Sequence, residues 1–406
     1  MDIILKWSNM WIKRDFGNFL RQTKTGSHLP VKVLKGPRQV GKTSILDHLG
    51  THQLVLFDDL GVRNLAQDNP VLFFKQFSKK VILDEATLAP EIFPEIKRLV
   101  DAERRLIRAG EATAELDIWV TGSNQTLLQR SIRESLAGRA SYFGLNTLSL
   151  HELKQIKPFE LASALVKGGW PELYVSLDLD PVQYLNDFIA TFIEKDIIAA
   201  AGIEKRSAFS KMLQLCAARV GQLINYSDIA QNVGVDVTTI QSWVSLLAQN
   251  GVLKIIEPYY SNLNQRLIKT PKLYFEDSAL AVRLQGWTQY EPLLLSPYFG
   301  SLLENLALSE ISRFFTNRAV NPEIHVVRSK EKVEIDFLIK LSNNRYIAAE
   351  VKAKPVDFSS AQLKLLDTLK LNIIEKWVLS PSSSLDFEHA KSIAFDEIAE
   401  NLEQLN

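Results

Sequence analysis

One short run constrains the fold of this chain more than any other part of its sequence. Residues 36–43 read Gly-Pro-Arg-Gln-Val-Gly-Lys-Thr, between the apolar run 31–34 and the helix-compatible run 44–49. In this strand–loop–helix order, the backbone N–H groups of a glycine-rich loop surround a polyphosphate and the helix N-terminus adds positive charge. We therefore expect a nucleotide site with ATP and Mg²⁺ as cofactors. Its residues are Gly36, Pro37, Arg38, Gln39, Val40, Gly41, Lys42, Thr43 and Ser44.

Two acidic residues further along the chain complete the expected site. Residues 79–83 read as a mostly apolar strand that ends in Asp84-Glu85. Lys42 would reach the outer phosphates, the Thr43 hydroxyl would join the Mg²⁺ shell, and Asp84 would hold that shell directly or through water. Glu85 would polarise the attacking water as a general base. The alternative is a buried strand that leads into an acidic loop, and the presence of the first motif argues against it.

A third strand-like run, residues 116–120, ends in the polar tip 121–124. If its strand lies beside the acidic one, this tip would be close to the terminal phosphate and could sense it. Thr121, Ser123 and Asn124 are all candidates for that contact. The alternative for each of them is a small polar turn.

Arg139 is the last expected member of the site. It ends the run Ser-Leu-Ala-Gly-Arg at residues 135–139. As an arginine finger it would contact transition-state charge in its own subunit or in a neighbouring one. The alternative is a surface arginine that caps a helix.

The composition is that of a soluble globular protein. The chain has 406 residues, 46% of them apolar, and 47 basic residues balance 47 acidic ones. This length predicts two or three domains, and zero net charge argues against a strongly electrostatic nucleic-acid binder. The single cysteine, Cys216, excludes a disulfide framework. Without a membrane-length apolar run or a signal-peptide layout, we expect a cytoplasmic protein that does not enter the membrane.

The middle of the chain carries a helix-turn-helix pattern. A short helix is expected over residues 227–232, a tight turn over 233–235, and a second helix over 237–249 with Asp236 as its cap. A strand over 252–256 would add a wing. No Lys or Arg occurs between Asp228 and Leu253, so the second helix cannot neutralise DNA phosphates. A structural or protein-contact role is therefore favoured over DNA binding.

A second group of charged residues lies near the C-terminus. Strand-like runs at 333–339 and 345–352 carry Asp336 on the first and Glu350 and Lys352 on the second, and a helix starting near residue 299 could add Glu304. Two carboxylates could ligate Mg²⁺ while the lysine steadies an attacking water or a scissile phosphate. The alternative is a hairpin with salt bridges on its solvated face.

Together these motifs resemble the prokaryotic AAA+ ATPases that are often described only as ATP-binding proteins. The resemblance spans nearly the whole chain and is strongest in the nucleotide site. It rests on residues 36–43, 84–85, 121–123, 136–139, 168–172, 275–280, 303–305 and 334–337.

The resemblance implies an α/β fold with a P-loop NTPase (AAA+) parallel sheet, a winged-helix middle and a smaller α/β domain similar to the PD-(D/E)XK restriction nucleases. The expected domains are 1–155 (ATPase), 156–206 (helical lid), 207–290 (winged helix) and 291–406 (nuclease-like). The expected function is Mg²⁺-dependent ATP hydrolysis that moves the later domains. The expected partners are ATP and ADP, either DNA or a protein client, and a further copy of the chain. Two alternatives stay open: an ATP-gated DNA endonuclease and a nucleotide-regulated interaction module.

Overall fold

The computed structural model describes residues 11–22, 29–111, 113, 115–122, 125–259 and 269–405. Its first five strands form one parallel sheet. These strands are β1 (Val31–Lys35), β2 (Gln53–Leu56), β3 (Lys80–Asp84), β4 (Asp117–Thr121) and β5 (Ala140–Gly144). Their order in the sheet is β2-β3-β4-β1-β5, so β4 lies between the strand before the glycine-rich loop and the strand that ends in Asp84.

Helices cover both faces of this sheet, because parallel strands must be joined by crossover segments. The strands are accordingly apolar on both faces: Val81, Ile82 and Leu83 of β3 are all at most 1% exposed. Asp59 caps one helix by accepting hydrogen bonds from the N–H groups of Gly61 and Val62. The helices are α1 (Asp15–Gln22), α2 (Lys42–Asp47), α3 (Leu60–Asp68), α4 (Pro70–Lys75), α5 (Ile92–Arg108) and α6 (Gln125–Ser135), with a 3-10 turn at Ala86–Leu88.

The middle of the chain is mainly helical. Its helices are α7 (Leu150–Leu153), α8 (Leu161–Val166), α9 (Glu172–Val175), α10 (Pro181–Phe188), a π-helix (Ile189–Ile197), α11 (Ile198–Ala201), α12 (Arg206–Ala218), α13 (Tyr226–Val233), α14 (Val237–Gln249), α15 (Ser278–Leu284) and α16 (Tyr290–Leu294). Strands β6 (Leu253–Ile256) and β7 (Lys272–Phe275) pair antiparallel after α14. The expected helix–turn–helix is confirmed as α13 and α14. Asp236 holds the N-cap position of α14, but its side chain makes no capping hydrogen bond to that helix.

The C-terminal part is a mixed sheet with helices against it. Its elements are α17 (Phe299–Thr316), β8 (Glu323–Arg328), β9 (Glu334–Lys340), β10 (Arg345–Val351), α18 (Ser360–Leu369), β11 (Asn372–Ser380), β12 (Lys391–Ala394) and α19 (Ile398–Leu405). The strand order is β12-β11-β10-β9-β8. The expected hairpin is confirmed, since β9 and β10 pair antiparallel, whereas β10, β11 and β12 run parallel. The turn between β9 and β10 places Asn343 and Asn344 at positive φ (58° and 57°), which asparagine tolerates better than most residues.

One apolar core runs through all three parts. It includes Leu34 of the first sheet, Trp243 of α14 and Trp377 of the C-terminal sheet. Separate apolar clusters cover the other face of the first sheet and the other face of the C-terminal sheet. Each sheet therefore packs one face against the shared core and covers the other with its own helices. Among the described helices, none is both long and apolar enough to cross a bilayer.

Cys216 gives a direct test of this packing. Its side chain is completely buried in α12, and burial raises the pKa of its thiol to about 12. Because the thiolate is the reactive form, we expect a thiol reagent such as DTNB to leave the folded protein unmodified and to label one thiol per chain in denaturant. Fast labelling of the native protein would show that α12 is not packed as described.

Candidate functional site

The glycine-rich loop joins the end of β1 to the start of α2, as the sequence predicted. Its backbone has positive φ at Gly36 (152°), Gln39 (62°) and Gly41 (87°), and conformations of this kind build anion-binding concavities. A Cβ atom at Gly36 would lie 1.9 Å from the carbonyl oxygen of Leu145, so no other residue fits there. The loop is thereby held against the segment that follows β5.

Lys42, the first residue of α2, folds back across this loop. Its Nζ donates to the carbonyl oxygens of Gly36 (3.0 Å) and Pro37 (2.6 Å), and the residue is only 8% exposed. Burial lowers the pKa of Lys42 to about 8, although the nearby charges of Glu85 and Asp84 act in the opposite direction. The loop therefore has a buried amine among main-chain oxygens, and added anionic charge would favour its protonated form.

Asp84 accepts hydrogen bonds from hydroxyl groups on two other elements. Thr43 Oγ1 donates to Asp84 Oδ1 over 2.7 Å, and Thr121 Oγ1, at the end of β4, donates to the same oxygen. The order of the sheet explains this, because the carboxyl ends of β3 and its neighbour β4 meet at one edge. Thr121 is thus the member of the polar tip that contacts the acidic motif. Ser123 and Asn124, the other two candidates, lie outside the described residues.

Glu85 follows Asp84 in a left-handed conformation (φ 53°), which is uncommon for a residue other than glycine. It borders a cavity of about 370 Å³ that Arg38 and Asn250 also line. Strained backbone at such a position is often part of a functional site. The carboxylate is therefore next to the loop and beside a space large enough for water.

Gln125 is a member of the site that the sequence analysis missed. Its Nε2 donates to the carbonyl oxygens of Gly36 and Gly122, both over 2.9 Å, and the residue is 2% exposed. It therefore ties the loop to the end of β4. Its position at the start of a helix gave no sign of this contact, which depends on how β4 and β1 lie side by side.

Arg139 does not lie at this site. Its guanidinium makes two hydrogen bonds to Asp101, of 2.7 and 2.9 Å, and its carbonyl oxygen accepts from the N–H of Val31. Val31 begins β1, and the glycine-rich loop follows Lys35 at the other end of this strand. Four residue steps of about 3.3 Å each therefore separate the contact of Arg139 from the loop. In this arrangement Arg139 is paired with Asp101 and lies away from the loop of its own subunit, and its role as an arginine finger stays a prediction.

A second cavity, of about 420 Å³, opens beside the loop. Its wall combines loop and helix residues such as Gln39, Gly41 and Ser44 with Trp11 and Tyr184 from distant parts of the chain. The Trp11 ring stacks on His48 with the ring centroids 3.9 Å apart. A largely apolar space with a few polar groups in its wall is typical of a small-molecule site.

Later parts of the chain touch the loop directly. Arg38 forms an ion pair with Asp196 of the π-helix. A Cβ atom at Gly251, just after α14, would be only 3.1 Å from Pro37 Cγ. Asn250 Nδ2 also donates to Thr126 Oγ1 of α6 over 3.0 Å. The helical middle therefore contacts the loop at Arg38 and Pro37 and the neighbouring helix α6 at Thr126.

The second group of charged residues also comes together. Asp336 Oδ2 accepts from the N–H of Val351 (2.8 Å), Glu350 Oε1 accepts from the N–H of Asp336 (3.2 Å), and Lys352 Nζ bonds Glu350 Oε2 (2.9 Å). Carboxylate oxygens of Glu304, Glu334 and Asp336 lie within 4.8 Å of one another.

Burial and the charge of Asp336 shift the titration of two of these carboxyl groups. They raise the pKa of Glu304 to about 7 and that of Glu350 to about 8, and in both cases burial and then the charge of Asp336 are the causes. The structure thus brings Glu304, Asp336, Glu350 and Lys352 into one cluster, as the sequence analysis expected, and adds Glu334 to it. We call these residues the carboxylate cluster.

Comparisons with known proteins match this organisation. Residues 28–154 match the family described as AAA domain, residues 159–291 a domain of unknown function (DUF8612), and residues 299–391 another domain of unknown function (DUF4143). Uncharacterized proteins of Mycobacterium tuberculosis and Mycobacterium bovis are each 26% identical over 354 residues, covering 83% of this chain and 76% of their own length. An uncharacterized protein of Haemophilus influenzae is 24% identical over 76% of this chain and 79% of its own.

Among solved structures, the Aeropyrum pernix ORC2 protein with ADPNP and ADP matches 59% of this chain and 85% of its own. The identity is 13% and the TM-score 0.29, which is too low to support any argument about this chain. The AAA match coincides with the parallel sheet and its glycine-rich loop, and an AAA domain implies ATP binding and hydrolysis, typically with Mg²⁺. Residues 28–154 are therefore similar to an AAA domain, and two regions that match domains of unknown function follow them.

Proposed function

We propose that this chain is a Mg²⁺-dependent ATPase that binds its nucleotide with residues 36–44. The observation that carries the proposal is the contact between Thr43 and Asp84, whose side chains lie 2.7 Å apart at the mouth of the loop. A hydroxyl and a carboxylate in this position are the oxygen ligands that hold Mg²⁺ beside a bound triphosphate. Direct or water-mediated coordination by Asp84 would serve equally well.

The neighbouring residues then take distinct roles. Lys42 exchanges its carbonyl partners for oxygens of the outer phosphates, and main-chain N–H groups of the loop hold the remaining phosphate oxygens. Glu85 accepts a proton from the attacking water in the cavity that it borders. Thr121, through its bond to Asp84, senses the terminal phosphate. Arg139 is left without a role in its own subunit, and in a neighbouring subunit it would first have to leave Asp101.

We further propose that hydrolysis moves the later parts of the chain, namely the helical lid and a winged-helix unit made of α13, α14, β6 and β7. The contacts of Arg38 with Asp196 and of Pro37 with Gly251 support this, because both involve loop residues beside the phosphates. Arg14 makes a third connection between the loop and a later helix. It donates to the carbonyl oxygen of Val40 (2.8 Å) and to Glu152 of α7 (3.0 Å). A shift of the loop would therefore disturb its neighbours on several sides.

A protein client suits the winged-helix unit better than DNA. Helix α14 would be the recognition helix, and it contains no Lys or Arg. DNA binding draws most of its strength from cationic side chains near phosphates. We therefore propose that nucleotide state controls contact with a protein, and ATP turnover measured with and without DNA separates the two cases: stimulation by DNA would contradict this choice.

Calorimetric titration of the purified protein with Mg-ATP and Mg-ADP tests the nucleotide site itself. We expect saturable binding of one nucleotide per chain. Lys42→Ala should weaken binding by about 10- to 100-fold, because hydrogen bonds to charged groups contribute about 1.5–3 kcal/mol each. Thermal unfolding of the variant without nucleotide serves as the folding control. If the folded wild-type protein takes up neither nucleotide in magnesium buffer, the proposal fails.

A further inference from the structure

The carboxylate cluster contains a cation that comes from another part of the chain. Lys272 begins β7, and its side chain is 4% exposed. Its Nζ lies 2.8 Å from Glu304 Oε1 and also bonds Glu334. Tyr274, on the same strand, donates its hydroxyl to Glu304. The sequence analysis linked neither residue to the cluster, because no pattern connects β7 with β9 and α17.

The space around this ammonium has the dimensions of a divalent-cation site. The oxygens of Glu304, Glu334 and Asp336 lie within 4.8 Å of one another. Opposite ligands of one ion are separated by about twice the metal–oxygen distance, which is about 4.2 Å for Mg²⁺ and about 4.6–5.2 Å for Ca²⁺. An ion placed among these oxygens would overlap the ammonium or lie in direct repulsion with it. Lysine and metal therefore exclude each other.

The charges of the cluster support the same conclusion. Four carboxylates, those of Glu304, Glu334, Asp336 and Glu350, face three cationic groups, those of Lys272, Arg328 and Lys352. Without Lys272, the four carboxyl groups would face only two cationic groups in a mostly buried site, so each ionised carboxylate would be less well compensated. Buried charge of this kind is strongly unfavourable and must be neutralised. A divalent cation would supply the missing charge.

The surrounding structure holds Lys272 in place. Asn305, the residue after Glu304 on α17, accepts a hydrogen bond from the N–H of Phe275 (2.7 Å) and donates to its carbonyl oxygen (3.1 Å). The N–H of Gly221 donates to the carbonyl oxygen of Leu273 over 2.8 Å on the other side. Strand β7 is thus fixed to the helix that carries Glu304, and the backbone of Lys272 is held beside the carboxylate cluster.

We propose that Lys272 is an internal counter-ion that occupies the divalent-cation position of the carboxylate cluster, so that the cluster binds metal only when Lys272 is removed. In the arrangement described here, the cluster cannot provide metal-dependent cleavage. The proposal concerns the contact of β7 with the C-terminal part and holds whether or not the first domain hydrolyses ATP.

Titration of the nucleotide-free 406-residue protein with Mn²⁺, followed by the electron paramagnetic resonance signal of the free ion, tests this. We expect Lys272→Met to gain one Mn²⁺ site per chain, at least about tenfold tighter than any site that wild type has in the cluster. Adding Asp336→Asn to Lys272→Met should remove it. The matched control is Lys254→Met, since Lys254 lies on the paired strand β6 and bonds Glu276 (3.4 Å) instead of the cluster. This control should gain no site.

Two outcomes would overturn the proposal. One is a folded Lys272→Met protein that gains no Asp336-dependent site. The other is a wild-type protein that already binds Mn²⁺ and loses this binding in the single Asp336→Asn variant. The second measurement needs no substitution at Lys272, so it decides the question even if Lys272→Met does not fold.

Discussion

Glu85→Gln is expected to leave ATP bound and to lower its turnover by about 10²- to 10⁴-fold, the usual contribution of a positioned general base. Glutamine keeps the shape and the hydrogen-bonding reach of the side chain but cannot accept the proton of the attacking water. Its neighbour Asp84, with Thr43, is unchanged, so the proposed metal ligands stay in place. A steady-state phosphate-release assay, combined with calorimetry for ATP binding, measures both effects.

Glu91→Gln is a suitable control for this experiment. Glu91 precedes α5 in the same connection and is exposed. The same change of charge at that position should leave turnover within about twofold of wild type, because surface substitutions have small effects. Wild-type turnover in the Glu85→Gln protein would show that Glu85 is not the base. Loss of ATP binding would show that its main role is structural.

Arg313→Met is expected to destabilise the protein by about 3–5 kcal/mol, the usual cost when one partner of a buried ion pair is removed. The Arg313 guanidinium lies 2.9 Å from Asp277 Oδ2, 2.6 Å from Glu310 Oε1 and 2.6 Å from Thr147 Oγ1. Thr147 follows the first sheet, Asp277 follows β7, and Glu310 belongs to α17. One guanidinium therefore joins all three parts of the chain in a buried site. Urea unfolding followed by circular dichroism measures the loss.

Arg318→Met is the matched control. Arg318 lies just after α17 and pairs with Glu403 at the surface, where the side chains are 32% and 60% exposed. Exposed pairs of this kind contribute about 0–1 kcal/mol, so the urea midpoint should change little. Equal destabilisation by both substitutions would show that the buried pairs of Arg313 contribute nothing beyond those of a surface arginine.

The destabilisation caused by Arg313→Met should depend on pH. Burial raises the pKa of Glu310 to about 7, and the charge of Arg313 opposes this rise. Without Arg313, the pKa of Glu310 in the folded protein moves further above its value of about 4.3 in the unfolded chain. Between these two pKa values, Glu310 is protonated in the folded protein and ionised in the unfolded one, so the folded protein binds more protons. Stability is then kept at low pH and lost as pH rises through the folded pKa. The deficit should be larger at about pH 8 than at about pH 5.5.

Local sequence patterns were sufficient to predict those structural elements that depend on residues close together in the chain. The loop at residues 36–43 lies between β1 and α2 because glycines permit its positive φ angles and the flanking runs have the right periodicity. The antiparallel β9–β10 hairpin and the helix–turn–helix of α13 and α14 follow from the same kind of local information. In each case the residues that determine the structure are close together in the chain.

Contacts between distant residues required the tertiary structure. Thr121, the last residue of β4, contacts Asp84 because β4 lies beside β3 in the sheet, and strand order is not encoded in any local pattern. Arg139 looked like part of the site, yet it lies at the opposite edge of the sheet because β5 enters from that side.

Lys272 shows the same limit most clearly. Local patterns were enough to predict the glycine-rich loop, the acidic residues after β3 and the two strands that carry Asp336 and Glu350. No local pattern predicts that a lysine of β7 lies among those carboxylates, which follows from the packing of separate elements. Backbone conformation depends mainly on residues that are close in the chain, whereas a buried charge is neutralised by whichever side chain this packing brings to it.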